Sequence, residues 1–120
     1  MMRVLAVVVL LVLGAGGAVA DVPPPYTPYG IGARLVDAEP FPTLADVKAG
    51  SPAAKAGLKA GDAVIAIDGS YSKSGGAPFY FFARGMQGRQ GSAVELVILR
   101  DNQRVFTVKL ARTVVIRGGW

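Results

Sequence analysis

The 120-residue sequence has no cysteine and no histidine. Without histidine a serine triad has no base, and without cysteine there is no thiol nucleophile, so the common hydrolase templates and the usual nitrogen or sulfur zinc sites are excluded. No disulfide can staple the chain either, so a fold must hold by packing and backbone pairing. The sequence also lacks an apolar run long enough to span a bilayer. Its N-terminal stretch, Val4 to Leu13, falls short of the roughly 20 residues a spanning helix needs. No internal repeat is present.

That stretch has a different character. Arg3 supplies a positive start, the apolar run follows, and small residues from Gly14 lead to Ala18-Val19-Ala20. This order predicts a signal peptide over residues 1–20, cleaved after Ala20, with an uncleaved membrane anchor as the rival reading. The absence of a nearby cysteine excludes a thioether lipid anchor. The remainder has a common size for one domain. Residues 21–28 hold Pro23, Pro24, Pro25 and Pro28 and read as a semi-rigid spacer.

The net charge of +5 hides an asymmetry. From Asp21 to Ser72 acids outnumber bases six to four, whereas from Lys73 onward eight bases face only Glu95 and Asp101. Such a half could attract an anionic surface. Its basic residues alternate with apolar ones, however, as on the solvated face of a sheet. Nucleic acid is not expected, since no recognised binding motif is present.

Along the chain, Ile31 to Val36 alternates as a strand, Asp37 to Pro42 reads as a loop, and Thr43 to Lys48 is extended again. Ser51 and Pro52 predict a short helix, with Ser51 as its cap and Pro52 in the first turn, ended by Gly57. Ala63 to Ile67 is a short apolar strand. Ser70 to Gly76 reads as a flexible loop, and a second helix is predicted over Pro78 to Met86 with Phe79, Phe82 and Met86 on one face. Two longer alternating strands, through Val94 to Leu99 and Phe106 to Leu110, turn at Asp101-Asn102-Gln103. The fold class is α+β: a partly open barrel or sandwich of about five short strands with two helices.

Three blocks then stand in a recognisable order. They are Gly30-Ile31-Gly32-Ala33, Gly50-Ser51-Pro52-Ala53-Ala54-Lys55-Ala56-Gly57-Leu58, and Gly61-Asp62 with Val64 to Ile67 and Asp68-Gly69. With Gly88, Gly91, Val94, Leu96, Ile98, Arg100 and Asp101, the chain resembles a bacterial PDZ domain over residues 29–112. Such domains occur in exported trypsin-like proteases and in carboxyl-terminal processing proteases, beside a separate catalytic domain. The resemblance implies binding of an extended or C-terminal peptide by strand addition. Its carboxylate would rest on the backbone amides of Tyr29, Gly30, Ile31 and Gly32. The peptide would pair along Ala33, Arg34 and Leu35, and Phe79, Phe82, Ala83 and Met86 would line the helix side. Core packing is the competing role for Ile31, Leu35, Phe82 and Met86.

Two departures from the family pattern stand out. Ala33 occupies a position where many eukaryotic relatives have phenylalanine. No lysine or arginine precedes the loop between Val22 and Tyr29, leaving Arg34 or Arg84 to balance a carboxylate, and recognition of an internal segment stays open.

Catalysis has few candidates. Ser72-Lys73-Ser74 has the residue types of a serine-lysine pair but not the burial that would activate the lysine, and Asp37 and Glu39 read as a solvated pair. No cofactor and no metal are expected. The tail, residues 113–120, ends in Arg117-Gly118-Gly119-Trp120, which could fill such a groove, against the alternatives of a frayed end or an added edge strand from Val114 to Ile116. The sequence thus predicts an exported, noncatalytic adaptor, periplasmic or extracellular. Its expected partner is another exported or membrane protein. Alternatives are an accessory subunit of an envelope protease and a binder of anionic envelope surfaces.

Overall fold

The computed structural model describes residues 28–116, so the expected signal, nearly all of the spacer and the Arg117 to Trp120 tail lie outside the described residues. The elements in chain order are β1 (Tyr29–Gly30), β2 (Ala33–Val36), β3 (Thr43–Val47), α1 (Pro52–Lys55), β4 (Ala63–Ile67), β5 (Ser70–Tyr71), α2 (Gly76–Ala83), a 3-10 turn (Arg84–Met86), β6 (Ala93–Arg100), β7 (Arg104–Ala111) and β8 (Val114–Val115). β2, β3, β4, β6 and β7 form an antiparallel sheet in that order, β5 pairs with β4, and β8 pairs with β1 in a separate two-stranded ribbon. The sheet is open, with β2 and β7 at its edges, as the α+β expectation of a partly open sheet with two helices requires.

Local chemistry explains most of these boundaries. β6 and β7 pair without a bulge from Ala93↔Ala111 to Arg100↔Arg104. The turn between them puts Asp101 and Asn102 at positive φ (55° and 54°), a conformation that these two residue types tolerate better than most. In α1, Ser51 Oγ accepts from the Ala54 amide at 3.1 Å and Pro52 fills the first turn, where no donor is needed. Gly57 then takes φ +85°, and the Leu58 amide reaches back to the Ala53 carbonyl at 3.0 Å, so that Leu58 folds into the core.

The core lies between the sheet and the two helices. Leu44, Val64, Leu96 and Ile98 are fully shielded, with Ile31, Ala53, Ile67, Val94 and Leu110 around them. Each large side chain buried in this way contributes about 1.5–3 kcal/mol, which supplies what the missing disulfides do not. Among the described residues no helix is long and apolar enough to cross a membrane.

α2 departs from its sequence boundary. It begins at Gly76 rather than Pro78, and its last predicted turn tightens into 3-10 geometry over Arg84–Met86. The early start comes from a distant cap: Gly75 has no side chain, but the Asp37 carboxylate accepts from the Gly75 amide at 2.9 Å and from the Gly76 amide at 3.2 Å. At the other end, Gly85 allows close approach of Ile67, whose Cγ2 lies 3.0 Å from where a Cβ would stand.

Candidate functional site

The glycine-containing loop is held by its carbonyls. The Ala53 amide donates to the Ile31 carbonyl at 3.0 Å, and the Lys48 amide to the Gly32 carbonyl at 2.7 Å. Tyr29 and Gly88 exchange both of their backbone hydrogen bonds at 2.9 Å, and β1 pairs through Val114↔Gly30 and Val115↔Tyr29. No described residue accepts from the Ile31 or Gly32 amides. These donors adjoin the start of β2, whose outer edge has no strand partner among the described residues.

Glycine is obligatory at one point of this loop. Gly32 has φ +84°, and a Cβ there would lie 2.2 Å from Ser51 Cβ. The loop therefore presses directly on the capped end of α1, and Ile31 itself is a core residue.

α2 is tied at its start to the residue after β2, by Asp37, and the 3-10 turn that follows it leads into the Tyr29–Gly88 bridge. Phe82 and Met86 belong to the core, so two of the four helix residues expected in the groove are core instead. With Gly85 and Phe82 turned toward β4 and β5, helical spacing puts Phe79 and Ala83, one turn apart and both half-buried, on a different flank of α2. On the strand, Ala33 is buried, Leu35 packs partly against the core, and Arg34 is exposed.

The arginines offered to a carboxylate are otherwise engaged. Arg34 forms an ion pair with Asp46 across β2 and β3 at 2.7 Å, and the Arg84 guanidinium stands 5.8 Å from the centre of the Tyr80 ring. Backbone amides are thus the principal positive groups of the loop.

Two charged residues that the sequence pattern places on a solvated face are instead structural. Arg112 is 7% exposed and donates to the Gly85 carbonyl at 2.8 Å, the Met86 carbonyl at 3.3 Å, the Ala93 carbonyl at 2.7 Å and Ser92 Oγ at 3.0 Å, with Asp68 at 3.6 Å. It holds the end of the helical wall to the sheet. Arg100 grips buried Asp62 with two bonds, 2.8 and 2.7 Å, and also donates to the Gly57 carbonyl at 2.8 Å. Burial alone would raise the Asp62 carboxyl, but the Arg100 guanidinium and the Lys59 amide outweigh it and hold it below the usual carboxylate range. Arg100 is pushed up, chiefly by its hydrogen bonds to Asp62.

Of the catalytic candidates, Ser74 and Asp37 make structural hydrogen bonds with their side chains. Ser74 Oγ donates to the Ala38 carbonyl at 2.9 Å, the Ser72 amide to the Ile65 carbonyl at 3.0 Å, and Lys73 is exposed. Asp37 caps α2, while Glu39 stays exposed.

Sequence reasoning missed a cavity of about 520 Å³ on the opposite flank of α2, lined by Ser70, Tyr71, Lys73, Ala77, Pro78, Phe81 and Phe82. Its signal was the run Phe79-Tyr80-Phe81-Phe82. Four consecutive aromatics cover more than one helical turn and cannot all face one core. Phe81 accordingly remains 68% exposed and Tyr71 79%.

A sequence model of the PDZ domain matches residues 30–110. A protein of Mesorhizobium japonicum named as a zinc metalloprotease is 41% identical over 64 residues, covering 53% of this chain and 16% of that protein. Among solved structures, the photosystem II D1 C-terminal processing protease gives a TM-score of 0.64 at 28% identity, over 74% of this chain and 24% of that one. The PDZ domain of the carboxy-terminal protease from Vibrio cholerae, solved with a peptide, gives 0.61 at 26% identity over 77% of this chain and 99% of that domain. The HtrA-type protease AlgW shares the fold, with a TM-score of 0.56 at 22% identity over 76% of this chain and 30% of that one. Apart from the isolated domain, the chain spans only a minor part of these proteins.

Proposed function

The chain belongs to the PDZ domain family, and from that premise we propose that it is an exported, noncatalytic binding protein that captures the C-terminal segment of a partner by strand addition. The observation that carries this reading is the pair of Ile31 and Gly32 amides, at the head of a β2 edge, neither of which has a partner among the described residues. An extended ligand continues the sheet by pairing along Ala33 to Leu35, since an open strand edge is a template for another strand. Its terminal carboxylate accepts from the loop amides, an arrangement that favours an anion even without a nearby lysine or arginine. An apolar last residue packs toward Phe79 and Ala83.

A chain end is favoured over an internal segment because the amides open in the loop, those of Ile31 and Gly32, are backbone donors suited to a terminal carboxylate. Support for a peptide ligand also comes from the Vibrio cholerae domain, solved with a peptide. Export rests on the signal-like Met1 to Ala20.

Nuclear magnetic resonance titration of residues 21–120 with a library of C-terminal peptides tests the reading. Shifts are expected at Ile31 to Leu35 and at Phe79 and Ala83. Absence of shifts there with every peptide overturns it.

A second reading, accessory substrate recognition for an envelope protease on another chain, draws on the proteases among its relatives. Co-purification of a protease with the chain, lost when the groove is blocked, favours it over a stand-alone adaptor.

A further inference from the structure

We propose that Asp37 is a positioning residue for the ligand, clasping the helical wall of the groove to its strand wall at the end away from the amide loop. The inference rests on the peptide-groove reading above.

The geometry is specific. β2 ends at Val36, and Asp37 follows it directly. α2 is entered through two glycines at positive φ, its N-cap Gly75 at 89° and its first residue Gly76 at 60°, neither with a side chain to satisfy the helix's first amides. The Asp37 carboxylate does so from 38 positions upstream, accepting from Gly75 at 2.9 and 3.1 Å and from Gly76 at 3.2 Å. Beside it, Ser74 Oγ donates to the Ala38 carbonyl at 2.9 Å. These bonds join the last residue of one wall to the first residues of the other.

The opposite end of the groove has its own fastening, the Tyr29–Gly88 exchange together with the Arg112 bonds to Gly85 and Met86. Between the two fastenings no hydrogen bond joins β2 to α2 among the described residues, and in the groove reading this is where the ligand strand pairs. With one clasp released, the helix keeps its core anchors, Phe82 and Met86, but its N-terminal turn is no longer held at a fixed distance from β2. Every ligand must then restore that distance on binding, which lowers affinity without unfolding the protein. Asp37 itself is exposed, so its removal leaves no buried group unpaired on its own side.

The test uses the chain from residue 21 to 120 and, as probe, the tightest member of a degenerate hexapeptide library with free carboxylates. Asp37→Ala is expected to weaken binding about tenfold, the order set by losing charge-assisted hydrogen bonds. Asp37→Asn keeps one acceptor oxygen and is expected to stay within about threefold of the unaltered chain by the same reasoning. Amide exchange of Gly75 and Gly76 should accelerate in Asp37→Ala, with the circular dichroism of a folded domain retained. A purely structural role would leave affinity untouched in a fully folded variant. Should Asp37→Ala not fold, Ser74→Ala removes the adjacent bond and is expected to weaken binding in the same direction. Equal affinity in the folded variants overturns the clasp while leaving the groove reading intact. Failure of every peptide to bind the unaltered chain overturns the groove reading and the clasp with it.

Discussion

Replacing Gly32 with alanine probes the loop at its most constrained point. The residue sits at φ +84°, and the added Cβ would lie 2.2 Å from Ser51 Cβ and 2.7 Å from Ser51 Oγ. Ordinary carbon–carbon contact needs about 3.5–4.0 Å, so one side must move by more than an ångström. Ser51 cannot swing aside, because its Cβ is fixed to the backbone at the start of α1 and it is 4% exposed. Left-handed strain for a non-glycine residue costs about 1–2 kcal/mol, and forcing a carbon into a packed site costs about 1–3 kcal/mol. Gly32→Ala should therefore lower stability by about 2–5 kcal/mol in urea titrations followed by circular dichroism, and weaken C-terminal peptide binding by more than about tenfold, through displacement of the loop amides. Adding Ser51→Gly removes the overlap while costing only a few tenths of a kcal/mol as a cap. The double variant should accordingly be more stable than Gly32→Ala alone, a departure from additivity. A Gly32→Ala protein within about 1 kcal/mol of the unaltered chain and with unchanged peptide affinity would refute the reasoning.

Other outcomes follow from the same geometry. Ala83→Trp places an indole on the α2 flank of the proposed groove and should abolish peptide binding while shifting the urea midpoint little; full affinity in that variant would move the ligand off this flank. Asp62 is held below its ordinary value of 3.8 in the folded state, so its contribution to stability is present above that value and is lost as pH falls below it. The stability difference between the unaltered chain and Asp62→Asn should thus be constant from neutral pH to about pH 5 and shrink below 3.8, read from urea midpoints; a difference that grows on acidification has the wrong sign. Arg112→Met removes the donors serving Gly85, Met86, Ser92 and Ala93 and should destabilise by about 1–3 kcal/mol, the cost of leaving one buried acceptor and its part-buried neighbours unpaired. A loss under about 1 kcal/mol would mean that water replaces it freely.

What the sequence made legible was chiefly local. The Ser51-Pro52 start and Gly57 stop of α1, the β6–β7 hairpin, and the glycine-bearing loop all follow from signals within a few residues. The long-range features had no such signal. Asp62 reads as a turn residue until Arg100, 38 positions later, pairs with it. Arg112 looks like one more cation in an alternating strand, yet it is buried because Gly88 leaves room for its side chain, with Arg112 Cδ 2.8 Å from a Cβ at that position. α2 begins two residues early because its cap comes from Asp37.

The site divides in the same way. The resemblance to PDZ domains put Tyr29 to Gly32 and Ala33 to Leu35 at the site, but of those loop amides Tyr29 already donates to Gly88, and on the helix side Phe82 and Met86 are core. Phe82 and Met86 share a face with Phe79 at helical spacing, and spacing cannot tell which part of that face meets the core. Val114–Val115 pairs with Tyr29–Gly30, an added-strand alternative for the tail that sequence left open.

The most direct measurement of the central claim compares one apolar-ended peptide with a free carboxylate against the same peptide amidated. Capture by the Ile31 and Gly32 amides predicts that amidation weakens binding by at least about tenfold, because a charge-assisted bond is replaced by a neutral one, and that the shifts at these two amides largely disappear. Equal affinity of the two peptides, with the loop amides unmoved, would contradict it.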